Sequence, residues 1–130
     1  MGKFKYNQNE KKRNEILEIE VDEDPRYSTF HFEDLTLDKL DELIKKKFVD
    51  PDEQQNDAPS IGEFRDWMEQ HPTFTAHGYA VCHPREDYRV SIEGVEGYPE
   101  TREDLMDFVL MFRYADDFVI GMDRCYCWYD

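Results

Sequence analysis

Basic side chains are scarce in this chain: 16 Lys and Arg stand against 31 Asp and Glu, a formal net charge of −15 over 130 residues. That shortage argues against nucleic-acid binding by the body of the protein, because phosphate contacts dominate such affinity and need clustered cations. Cysteine is scarce as well. Cys82, Cys125 and Cys127 are an odd number, and the last two stand too close along an extended strand for an unstrained bridge. A reduced, cytoplasmic protein is therefore expected. No apolar run approaches the ~20 residues that span a bilayer. The opening MGKFKYNQNEKKRNE has no apolar h-region, so no signal peptide is read. Tyr6 stands where a myristoylation signal beginning at Met1-Gly2 needs Ser or Thr.

Catalytic signatures are missing too. There is no Gly-x-Ser-x-Gly or Gly-x-Cys turn. Gly94 and Gly97 are spaced wrongly for a phosphate cradle and are accompanied by acids that repel phosphate. The segment from Asp50 to Asp57 lacks the Asp-x-Asp-x-Asp-Gly order and closing Glu of a calcium loop. Carboxylate pairs such as Asp116-Asp117 and Glu103-Asp104 follow from acid abundance alone, and nothing in the sequence marks one for acid–base work. A non-enzymatic protein is expected.

What the chain does have is aromatic mass: nine Phe, eight Tyr and two Trp make up 15% of it. Disordered acidic chains lack that, so this one folds, and its length suits one domain. Its charge is laid out unevenly. Lys3, Lys5, Lys11, Lys12 and Arg13 outweigh Glu10, so residues 1–14 carry +4 and everything after carries −19. Residues 1–14 read as a basic flexible arm and 15–130 as a single acidic domain.

Within that domain Leu17, Ile19 and Val21 alternate with Glu18, Glu20 and Asp22, which predicts a half-buried strand; Phe30 and Phe32 predict its hairpin partner. Thr36 caps a helix carrying Leu37, Leu40, Ile44 and Phe48, with Leu35 placed to staple against Leu40 and Lys45-Lys46-Lys47 at its cation-favouring end. Residues 50–59 read as an exposed loop. Ser60-Ile61-Gly62-Glu63 is a capping box before Phe64, Trp67 and Met68. Strands follow over 74–82 and 88–92, then a Gly-rich connection from Gly94 to Pro99. Thr101 caps a third helix, whose Leu105, Phe108, Val109 and Phe112 form a core stripe widened by Met106, Leu110 and Met111, so it is expected to be the most buried of the three. Two short strands, 118–120 and 125–129, close the chain. The order ββααββαββ predicts an α+β domain with a mostly antiparallel sheet.

Cys82, His83, Cys125 and Cys127 could supply four zinc ligands, but they lie on strands rather than on knuckle turns, and free cysteine is commonly a small core hydrophobe. Adjacent strand residues face opposite ways, so Cys82 and His83 cannot act as a nucleophile pair. No metal and no cofactor are expected on this reading.

The feature that remains is acidic surface, in three sets: Glu18, Glu20, Asp22, Glu23 and Asp24; Asp50, Asp52, Glu53, Asp57, Glu63 and Asp66; Glu93, Glu96, Glu100, Glu103, Asp104 and Asp107. Duplex DNA presents one charge per ~1.7 Å of axis, so carboxylates spaced along a face can occupy a nucleic-acid groove on another protein. The plainer alternative is a surface that merely keeps the protein dispersed. In the C-terminal Cys125-Tyr126-Cys127-Trp128-Tyr129, strand alternation places Cys125, Cys127 and Tyr129 inward and offers Tyr126 and Trp128 to a partner.

By analogy of charge and size, the expected class is a cytoplasmic acidic inhibitor. Its partner would be a basic nucleic-acid-binding protein; it would touch neither nucleic acid nor membrane directly. One form is a phage- or mobile-element-encoded nucleic-acid mimic of anti-CRISPR or anti-restriction type. Another is an immunity protein or antitoxin that neutralises a basic nuclease toxin. A small zinc-binding or enzymatic domain using the Cys and His set is a third reading. Charge does not separate the first two; the neighbouring gene does.

Overall fold

The computed structural model describes residues 3–20, 24, 26–55 and 57–130. Along these the elements run α1 (Glu10–Leu17), β1 (Thr29–Leu35), α2 (Leu37–Lys45), α3 (Ile61–Gln70), β2 (Thr75–Val81), β3 (Arg89–Gly97), α4 (Arg102–Phe112), β4 (Asp117–Val119) and β5 (Cys125–Trp128). The strands form one antiparallel sheet in the order β1-β2-β3-β5-β4. This is an α+β fold, and its helices share one core with the inward residues of the sheet, among them Phe32, Ala76, Val90, Ile92, Val95, Cys125 and Cys127.

Helix starts follow the sequence closely. Thr36 accepts the Lys39 N–H at 3.4 Å, and Ser60 and Thr101 each close a capping box, with Glu63 and Asp104 respectively. Aromatic rings fill the layer between helices and sheet. Trp67 meets Phe74 at 4.6 Å and Phe112 at 5.0 Å, Phe108 stacks on Phe118 at 5.2 Å, and Phe64 meets Tyr129 edge-on at 6.3 Å. Edge-to-face and offset contacts of this kind each add about 0.5–1.5 kcal/mol beyond area burial.

Of the first strand expected from alternation, the described part, residues 16–20, is not strand: Ile16 and Leu17 end a helix instead. Arg13, Ile16 and Leu17 are buried at i, i+3 and i+4, a helical stripe hidden from the sequence because one of its members is an arginine. Val21 and Asp22 lie outside the described residues. The order is therefore αβααββαββ, and β1 pairs with β2 across two intervening helices rather than in a hairpin. The segment expected as a basic flexible arm lies against the body: Asn7 donates to the Lys47 carbonyl at 2.8 Å, and Arg13 is fully buried.

Two further expectations change. The Gly-rich connection is strand, because β3 continues through Gly94 to Gly97. A register shift against β2 between His77 and Gly78 moves the inward phase from Val90 and Ile92 to Val95, which disguises the alternation. The last helix buries only Phe108 and Phe112 fully; Met106 and Leu110 are each 58% exposed.

Candidate functional site on the outer face of the sheet

Strand alternation sends one set of side chains away from the helices. On that face β1 presents His31 and Glu33, β2 presents Thr75 and His77, β3 presents Glu93 and Glu96, and β5 presents Tyr126 and Trp128. Asp34, Asp117, Val119 and Arg124 join them in lining a cavity of about 580 Å³. Five of these groups are carboxylates.

The floor is held by specific contacts. Trp128 Nε1 donates to Glu93 Oε2 at 3.0 Å, and His31 Nδ1 lies 3.6 Å from Glu93 Oε1. His77 stacks on Tyr126 at 5.0 Å, and its Nε2 lies 2.9 Å from the Cys127 carbonyl. Only an N–H can pair with a carbonyl, so Nε2 carries the proton. Burial holds this imidazole below its ordinary pKa and keeps it neutral. Arg124 pairs with Glu96 at 2.6 Å while lying 5.2 Å over the Tyr126 ring. A guanidinium is thus already seated between a carboxylate and an aromatic face. Among the described residues Glu33, Asp34 and Asp117 are exposed and form no ion pair.

A second cleft shares this wall. Glu18, Glu20, His31, Glu33 and Asp34 all line it, so the acidic surface runs from the end of α1 over β1 onto the sheet face.

The expected acidic sets are placed unevenly. In the first, Glu18 is exposed and pairs with Lys39 at 2.7 Å, and Glu20 is exposed. Asp24 pairs with Arg26 at 2.6 Å, which holds its carboxyl below the usual range. Asp22 and Glu23 lie outside the described residues. In the second, Asp52 and Asp57 are exposed, Asp50 accepts the Asp52 N–H at 2.9 Å, and Asp66 pairs with Arg65 at 3.1 Å. Glu63 is committed to its cap. Glu53 is drawn inward, accepting from Ser91 at 2.8 Å beside Arg89 at 3.3 Å, and burial pushes its carboxyl up. The third set is split. Glu93 and Glu96 belong to the sheet face, while Asp104 and Asp107 line a groove with α3; Glu100 and Glu103 are exposed.

Tyr126 and Trp128 lie on the outer face, with Cys125, Cys127 and Tyr129 buried beneath, as alternation predicted. Glu33, Asp34, His31, His77 and Asp117 were not among the expected site residues. Alternation in β1 and β2 already places His31, Glu33 and His77 opposite the core, a signal the sequence carried.

The Cys and His set is not brought together. Cys82 follows β2 at the end where Val81 pairs with Arg89, whereas Cys125 pairs with Gly97 at the opposite end. Arg89 and Gly97 are eight residue steps apart along β3, about 26 Å at ~3.3 Å per residue. Cys82 instead receives the Arg13 guanidinium at 3.2 Å, and burial pushes the Cys127 thiol up to about 12. Among the described residues the one group placed to share a metal ion is His71, Asp104 and Asp107. No protein-family model matches this chain, and neither a curated protein nor a solved structure matches it.

Proposed function

We propose that this protein is a non-enzymatic acidic inhibitor that occupies the basic nucleic-acid groove of a partner protein, using the tract from Glu18 and Glu20 over Glu33 and Asp34 to Asp117. The observation that carries the reading is where the charges end up. Arg26, Arg65, Arg85, Arg89 and Arg124 are each paired with carboxylates of the same chain, and Arg13 is buried. With a net charge of −15 the excess is acid, and one stretch of it lines two adjoining clefts. Rim charges of this kind speed association and set its salt dependence. Tyr126 and Trp128 add aromatic surface beside the carboxylates, the pairing that Arg124 already uses internally.

Competition binding tests this. Nuclease effectors holding fluorescent duplex DNA or guide RNA should release it when the protein is added, and Glu33→Lys with Asp117→Lys should weaken that release at least tenfold while leaving the melting temperature in place. If no nuclease or other nucleic-acid-binding protein loses its nucleic acid, the reading fails. Trp128→Ala is a second probe, expected to cost partner affinity more than melting temperature.

A further inference from the structure

The groove between α3 and α4 lies apart from the sheet face and holds different chemistry. His71, the C-cap of α3, is buried, with Nδ1 3.4 Å from Asp104 Oδ1 and Nε2 3.7 Å from Asp107 Oδ2. These separations exceed normal hydrogen-bond lengths, and the ring makes no side-chain hydrogen bond among the described residues. The ring lines the groove together with both aspartates, so a ligand in the groove can reach its nitrogens.

The surroundings fix the geometry. Trp67 stacks on the ring at 4.1 Å and sets its plane. Asp104 uses Oδ2 to accept the Glu100 and Thr101 N–H groups, each at 3.1 Å, which leaves Oδ1 aimed at His71. Such hydrogen bonding of the second oxygen is what orients ligating carboxylates in metal sites. Asp107 follows one turn along the helix and faces Nε2, so an ion on Nδ1 beside Asp104 would have to draw the exposed Asp107 carboxylate across to it. One candidate donor atom from each residue falls within 4.8 Å of the others. Two donors about 2.0–2.1 Å from a tetrahedral ion stand about 3.4 Å apart, the separation found between Nδ1 and Asp104.

We infer that His71, Asp104 and Asp107 form a three-ligand site for a divalent transition-metal ion such as zinc, with the fourth position left to water. One imidazole and two carboxylates suit zinc, cobalt or manganese better than calcium, which takes six to eight oxygens. The positive end of α4 opposes a cation here, so affinity should be lower than at the same three ligands placed away from a helix start.

Calorimetric titration of the chelator-treated full chain with Zn²⁺, and Co²⁺ titration followed by visible absorbance, decide the matter. One saturable equivalent is expected, without a thiolate-to-metal band, and weakened at least tenfold by His71→Gln and by Asp107→Asn. Asp107 is on the surface, so its variant is decisive even if His71→Gln folds poorly. Absence of saturable binding, binding untouched by Asp107→Asn, or a thiolate band would overturn the inference. The first result would mean that the two carboxylates flank His71 without sharing an ion with it.

Discussion

Arg13 takes a full positive charge to a place where, among the described residues, no carboxylate pairs with it. Its guanidinium donates to the Val81 carbonyl at 3.0 Å, to Asn14 Oδ1 at 3.1 Å and to Cys82 Sγ at 3.2 Å, and lies 4.5 Å over the Tyr88 ring. The residue that looked most at home on a basic arm is the pin that fastens α1 to the end of β2. Arg13→Ala should cost about 3 kcal/mol in urea unfolding, from lost packing and an orphaned carbonyl. Lys11→Ala and Lys12→Ala, both exposed, should cost little. His77 gives a pH signature. Burial lowers its folded pKa below the ordinary 6.5, so the unfolded chain takes up its proton first. Its contribution is complete above about pH 6.5 and is lost as pH falls below that value. His77→Gln keeps an N–H for the Cys127 carbonyl and cannot titrate. Urea midpoints from roughly pH 7.5 to 5 should therefore fall less steeply in the variant than in the wild type.

At the scale of elements, legibility follows the local signal. Capping boxes at Ser60 and Thr101, the N-cap at Thr36 and the alternation in β2 and β5 are written in adjacent residues, and the structure has all of them. The α+β class followed. α1 was lost because its buried stripe includes an arginine, and the far half of β3 because its bulge shifts the period. The outer sheet face was half legible: Tyr126 and Trp128 were placed by alternation, while Glu33 and Asp117, on opposite margins of the sheet, needed the strand order to be placed on one cavity. Gly94 shows why β3 can continue through glycine. A Cβ there would stand 1.9 Å from the Cys127 carbonyl oxygen and 2.9 Å from His77 Cε1. Gly94→Ala must push β5 from β3, at a cost of about 1–3 kcal/mol or more, read as a lowered urea midpoint. It should also disturb the stacking of His77 on Tyr126, visible in the aromatic NMR shifts.

For the whole molecule, salt should act in opposite directions on folding and on binding. A net charge of −15 repels itself, and screening relieves that, so melting temperature should rise as NaCl goes from about 0.05 to 0.5 M. Association through the acidic tract should weaken over the same range. A partner whose affinity ignores salt would point instead to the exposed apolar surface of Met106 and Leu110.

The two outermost strands bear on how such an association can proceed. β4 is three residues long and begins at Asp117. β1 is irregular between Phe32 and Leu35, where Asp34 takes a left-handed conformation at φ 57°. A short strand at one margin and a kinked, charged one at the other give a foreign chain little straight backbone to zip onto. Recruitment by strand addition, which needs an unpaired sheet edge, is thereby discouraged at both margins. What the sheet offers a partner is its broad side, read through side chains, so recognition can be tuned by single substitutions without disturbing the ladder beneath.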